Sequence, residues 1–151
     1  MSGQAIPVEV GLRYLSVGYR LRKVVDDRMT TAGLSLARTK ILQVLDRRGA
    51  MRQSSLAEEL GHAPRSVTQS VEALEREGLL ERTAAPDDRR SKFVTLTREG
   101  ANALAVGTAA GDNVLSQIFG VLGPEQLTSL DKLLDSIEAT LFSNAPDKTV
   151  T

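Results

Sequence analysis

Apolar residues recur at helical spacing along most of this chain, and two short strand-like runs break the pattern once, between residues 79 and 96. Val8 to Thr31 predicts a first helix: Tyr14, Val17, Leu21, Val24, Val25 and Met29 form a stripe that Leu12 and Leu15 widen. Gly11 and Gly18 weaken it by roughly 1 kcal/mol each relative to alanine. A helix apolar on two sides predicts burial against more than its own fold; the alternative is an ordinary core helix. Ser35 is a fitting N-cap for a second helix, Leu36 to Arg48, with Ile41, Leu42 and Leu45 facing a core. Gly49 ends it, and Arg47 and Arg48 in the last turn complement the helix dipole. A third helix, Gln53 to Leu60, closes at Gly61, and a fourth runs from Pro64 to Glu77 before Gly78. Val67, Val71 and Leu74 are the inward stripe of the fourth. Thr97 caps a fifth helix, Arg98 to about Leu122, with Glu99 in its first turn. Its segment Ala101 to Gly111 is rich in small residues, which suits either tight crossing of a partner helix or a flexible stretch. Gly123-Pro124 breaks the chain. A last helix starts at Pro124, with Leu127, Leu130, Leu133, Leu134, Ile137 and Leu141 in line, and Ser143 to Thr151 reads as a frayed tail.

The third and fourth helices, with Pro64 close behind Gly61, have the spacing of a helix-turn-helix. The outward face of the fourth carries Arg65, Ser66, Thr68 and Gln69 in its first two turns. Short polar and forked cationic groups at the N-terminal end of a helix are what major-groove readout requires; a solvated helix face is the plain alternative. The strand-like runs Leu79 to Thr83 and Lys92 to Leu96 predict a hairpin, joined by Ala84-Ala-Pro-Asp-Asp-Arg-Arg-Ser91. Asp and Pro are ordinary turn residues. Arg89 and Arg90, on a hairpin that directly follows a reading helix, are a different matter, because a projecting arginine can enter a narrow minor groove.

Here the chain resembles the multiple-antibiotic-resistance regulators (MarR family), which are winged-helix transcription factors. The residues that carry the resemblance are Leu56-Ala-Glu-Glu-Leu-Gly61, Val71-Glu-Ala-Leu-Glu-Arg-Glu-Gly-Leu-Leu-Glu-Arg82, Asp88-Arg-Arg90 and Val94-Thr-Leu-Thr-Arg-Glu-Gly100. Their order and spacing, more than any one motif, make the match, which covers nearly the whole chain. The resemblance implies a mostly α fold: a winged helix-turn-helix with a small β-hairpin wing over residues 35–100. A helical dimerisation platform follows from both termini, residues 1–34 and 101–145, the whole being one domain of 151 residues. It implies a homodimer held through Leu12, Leu15, Leu130, Leu134, Ile137 and Leu141. It implies that the partner is a double-stranded, pseudopalindromic DNA operator met by Arg65, Ser66, Thr68, Gln69, Arg89, Arg90 and Lys92, and that the protein acts as a repressor. Asp88 then orients Arg90 through a charge-assisted hydrogen bond. A small aromatic or phenolic effector is implied between platform and reading head, with Tyr14, Tyr19, Leu42 and Phe119 as lining residues or, equally, as core. Two departures stand out. Gln69 replaces an arginine common in relatives, and Ala63 before Pro64 leaves the reading helix without side-chain capping, at a cost of ~1 kcal/mol.

Composition narrows the picture further. Apolar residues make up 41 %, enough for a core, but aromatics are only 3 % and Trp is absent, so the core is aliphatic. There is no Cys, which rules out disulfides, thiol catalysis and cysteine-based sensing. No cofactor is expected. No apolar run approaches the ~20 residues of a membrane span, and the first residues lack a secretory pattern, so a cytoplasmic protein is expected. Net charge is zero but unevenly laid out. Residues 1–45 carry seven Lys/Arg against three Asp/Glu, residues 46–100 ten of each, and residues 101–151 two against six. A neutral reader must be basic on one face only. Arg38 and Lys40 either reach phosphate or lie on solvated surface. Neutral charge is also what a winged-helix protein-interaction module without DNA binding would show, and that is the alternative class. An enzyme is not expected: His62 is the sole histidine, in a turn, and Arg89 and Arg90 follow the Asp87-Asp88 pair immediately.

Overall fold

The computed structural model describes residues 3–143. Six helices and a small sheet follow in the order α1 (Pro7–Thr31), α2 (Leu36–Arg48), β1 (Met51–Arg52), α3 (Gln53–Leu60), α4 (Pro64–Arg76), β2 (Leu80–Ala84), β3 (Lys92–Leu96), α5 (Arg98–Phe119) and α6 (Pro124–Ser143). The predicted architecture, mostly α with one hairpin, is therefore present. The chain divides into two compact units, one up to Val114 and one from Leu115 onward. The expected tail falls mainly outside the described residues; Ser143 itself ends α6.

Local chemistry sets the boundaries. Ser35 caps α2 by accepting from the Arg38 amide at 3.3 Å, and Gly61 closes α3 in the left-handed conformation, with φ of 64°. Gly78, with φ of 75°, carries the chain out of α4, where the Leu79 amide returns to the Leu74 carbonyl. That return bond moves the first wing strand one residue later than the expected Leu79–Thr83. The sheet holds a third strand that no alternation announces: Met51 and Arg52 pair with Val94 and Phe93, giving the order β1-β3-β2, all antiparallel. α5 stops at Phe119 rather than near Leu122, in a turn closed by the Leu122 amide on the Phe119 carbonyl.

The core of the first unit lies where α2, α3 and α4 meet the sheet. Leu42, Leu56, Val71, Leu74 and Val94 are completely buried there. The small residues of α5 serve this same unit. A Cβ on Gly107 would lie 3.2 Å from a Leu34 methyl, and one on Gly111 would lie 3.2 Å from Met29 Sδ. Small residues therefore let α5 approach its own chain, which answers the question the sequence left open. At Gly100 the approach is closer still: a Cβ would meet the Leu79 carbonyl oxygen at 1.9 Å.

α1 is buried only at Val25 and Met29. Leu12 and Leu15 are exposed, Leu15 by 67 %. In the second unit α6 buries no residue; Ile137 and Leu141 are exposed, and Leu130 and Leu134 are half-buried. Among the described residues no helix is long and apolar enough to cross a membrane.

Candidate nucleic-acid interface

α3 and α4 are joined by a three-residue connection in which the His62 amide bonds back to the Ala57 carbonyl at 3.2 Å. α4 starts with Pro64 at its first position and no side-chain cap on Ala63, as the sequence predicts. Val67, Val71 and Leu74 hold its inner face in the core. On the outer face Arg65, Ser66 and Gln69 are exposed. Thr68 differs from them. It is half-buried, its hydroxyl donates to the Pro64 carbonyl at 2.9 Å, and it accepts from Gln53 Nε2 at 2.9 Å. Thr68 thus ties α4 to the first residue of α3.

The wing is β2, β3 and the tip between them. Ala85, buried at the base of the tip, donates its amide to the Ser91 carbonyl. Asp88 organises the turn: Oδ1 accepts from the Arg90 amide at 2.9 Å and Oδ2 from the Ser91 hydroxyl at 3.1 Å. Asp88 therefore acts on the backbone of Arg90 and not on its guanidinium. Arg89, Arg90 and Lys92 are exposed, and among the described residues none of them, nor Arg65, makes an ion pair. Free cations on exposed elements are suited to meeting phosphate or base edges.

Three ion pairs position these elements, and sequence spacing shows none of them. Arg82 in β2 donates Nη2 to Glu75 Oε1 at 3.0 Å, while its own amide donates to Glu75 Oε2 at 3.1 Å, so the wing is strapped to α4. The hydrogen bond from Arg82 holds the Glu75 carboxyl below the usual carboxylate range, and the same bond raises the Arg82 guanidinium. Arg38 in α2 bonds Glu77, at the C-cap of α4, at 2.8 Å, so it is not the free phosphate contact that was one option. Arg52 bonds Asp87 at the wing tip, and that hydrogen bond holds the Asp87 carboxyl below its ordinary range. Arg47 and Arg48, expected only to complement a dipole, both reach Glu59 of α3.

Between α1, α2 and the α3–α4 turn lies a cleft of about 410 Å³, lined by Tyr19, Arg22, Lys23, Asp26, Leu36, Ala37, Lys40 and His62. Of the aromatic and apolar residues named as effector contacts, only Tyr19 lines it. Leu42 is core, Tyr14 is exposed on α1, and Phe119 is half-buried at the end of α5. The cationic lining was not visible in the sequence, because Arg22 and Lys23 come from α1 and Lys40 from α2. No cluster of metal-ligating side chains occurs among the described residues.

A helix-turn-helix followed by a two-stranded wing, with unpaired cations on both parts, defines a winged helix-turn-helix protein. Residues 34–92 match the model of the MarR family. It is 28 % identical over 93 residues to the uncharacterised HTH-type transcriptional regulator YfiV of Bacillus subtilis, an alignment covering 62 % of this chain and 58 % of YfiV. The chain thus spans less than two thirds of that relative's length. Wild-type MarR from E. coli superposes with a TM-score of 0.76 at 20 % identity, covering 89 % of this chain and 98 % of MarR. A mutant of the same protein complexed with operator DNA gives 0.72 at 19 % identity, covering 86 % and 94 %. BpsR of Bordetella bronchiseptica, whose DNA binding is regulated by 6-hydroxynicotinic acid, gives 0.71 at 22 % identity over 86 % of this chain and 98 % of BpsR.

Proposed function

We propose that this protein is a transcriptional regulator that binds DNA as a homodimer, represses from a pseudopalindromic operator and is released by a small aromatic acid or phenol. The observation that carries the reading is the chemistry of α4 and the wing: an aliphatic inner face, an outer face of Arg65, Ser66 and Gln69, and a hairpin tip with Arg89 and Arg90 left without acidic partners among the described residues. Arg65 and Gln69 take the major groove and its flanking phosphates, with Ser66 and Lys92 on the backbone. Arg90 takes the minor groove. Thr68 contributes by fixing α4 against Gln53. The operator complex formed by a protein of the same fold supports this assignment.

The dimer reading rests on apolar surface. Leu12 and Leu15 of α1 and Ile137 and Leu141 of α6 are large, exposed and on helices outside the reading head, as expected of residues 1–34 and 101–145 acting as a platform. A twofold dimer then spaces its half-sites by about one helical turn, ~34–36 Å. The cationic, Tyr19-bearing cleft has a volume in the range of small-molecule sites and the charge to take a carboxylate or phenolate. The cytoplasm is where such a protein works.

Selection of bound fragments from sheared genomic DNA, followed by mobility shifts across a salt series, tests the reading. A retained fragment with an inverted repeat is expected, with affinity falling by about one power of salt concentration per phosphate contact. A flat salt response, or no retained fragment at low salt, refutes it. Repeating the shifts with phenolic acids tests release.

A further inference from the structure

Arg52 sits where α3 would ordinarily be capped. N-cap positions favour Ser, Thr, Asp or Asn, yet Arg52 makes no cap bond, and α3 begins without one. Its side chain goes elsewhere. Arg52 pairs with Phe93 across the β1–β3 ladder, its guanidinium lies 5.8 Å from the centre of the Phe93 ring, and Nη2 reaches both Asp87 oxygens at 2.5 and 2.6 Å. The ring supports the guanidinium from below while the carboxylate fixes its end. The next residue, Gln53, holds Thr68 of the reading helix. Two consecutive residues therefore grip both parts of the proposed interface, the wing tip and α4.

We infer that Arg52 is a positioning residue for the wing: through Asp87 it holds the 85–91 tip at a set place relative to α4, so that Arg89 and Arg90 meet DNA together with Arg65. The inference rests on the DNA-binding reading above. The charges of the tip make the pairing consequential. Asp87, Asp88, Arg89 and Arg90 sum to zero. Asp88 is engaged by the turn itself, so Asp87 is the carboxylate left to face a phosphate backbone. Arg52 both neutralises it and ties it to β1. Asp87 lies on an exposed loop, so the pair adds little to global stability and acts instead on where the tip sits.

The full-length protein carries the test, as Arg52→Met, Asp87→Asn and the double variant. In the DNA-free protein, amide exchange at Ala85, Arg90 and Ser91 reports the tip directly. Each single variant is expected to speed it roughly two- to fivefold, the range an exposed ion pair supports, with thermal unfolding nearly unchanged. On a fragment selected by the wild type, each single variant is expected to bind several-fold more weakly, and the double variant no more weakly than either. A direct Arg52–phosphate contact predicts the opposite sign for Asp87→Asn: tighter binding, from loss of a negative charge. Tighter or unchanged binding by Asp87→Asn, or tip exchange that stays at the wild-type rate, overturns the inference. If the wild type retains no fragment, the DNA-binding reading fails by itself, and exchange in the free protein still decides whether Arg52 holds the tip.

Discussion

Gly100→Ala is the substitution whose cost the structure specifies best. Gly100 lies in the first turn of α5, and the added Cβ would sit 1.9 Å from the Leu79 carbonyl oxygen, 2.7 Å from Leu96 Cδ1 and 2.9 Å from the Leu79 carbonyl carbon. Neither the carbonyl nor the helix backbone can rotate out of the way as a flexible side-chain end would. They must separate by roughly 1 Å, a displacement of the overpacking kind that costs about 1–3 kcal/mol. The same separation strains the Thr97 amide bond to the Leu79 carbonyl and the 2.6 Å bond from the Thr97 hydroxyl to the Gly78 carbonyl, at about 1 kcal/mol each. Alanine recovers about 1 kcal/mol of helix propensity. The balance is a loss of about 2–4 kcal/mol, or a midpoint lowered by about 6–12 °C for a chain of this size. Thermal unfolding followed by circular dichroism at one fixed protein concentration measures it, since association would otherwise shift the midpoint. A variant that melts within 1–2 °C of the wild type refutes the argued contact between α5 and the exit of α4.

Other outcomes follow from features already described. Because Glu75 titrates below its ordinary value when folded, its contribution is complete above the unfolded carboxyl range near 4.5 and is lost as pH falls through the lower folded value. Glu75→Gln should therefore be less stable than the wild type at pH 7 and lose less stability between about pH 5 and 3; parallel acid limbs would contradict this. Leu15→Glu and Ile137→Glu should each give monomers of native helicity by sedimentation, and a dimer that survives both would place the interface elsewhere. Arg90→Ala should weaken binding to a selected fragment by about 1–3 kcal/mol, and Arg65→Ala should lower the salt slope by about one if Arg65 sits on phosphate. Wild-type affinity for Arg90→Ala would remove the wing from the contact.

The helices were legible because their ends carry local chemistry: Ser35 and Thr97 cap, Gly61 and Gly78 release, and Pro64 and Pro124 start. Their inward stripes were legible because a helix repeats every few residues. What escaped was whatever depends on distant pairing. β1 is two residues long and has no periodicity of its own; it exists because Val94 and Phe93 offer an edge. Arg52 and Asp87 are 35 positions apart, and Arg38 and Glu77 are 39 apart. In the sequence each of these four reads as an ordinary surface charge. Thr68 was assigned to the outer surface by helical phase alone, and only the position of Gln53 shows where its hydroxyl is engaged.

The cleft beside α2 borders what holds the reading helix at both of its ends. His62, one of its walls, stands two residues before Pro64, where α4 begins; Ala37, another wall, is the neighbour of Arg38, which grips Glu77 where α4 finishes. A guest in that space presses on the two supports of a single beam, so even a displacement too small to disturb the aliphatic core would tilt the rod that those supports carry.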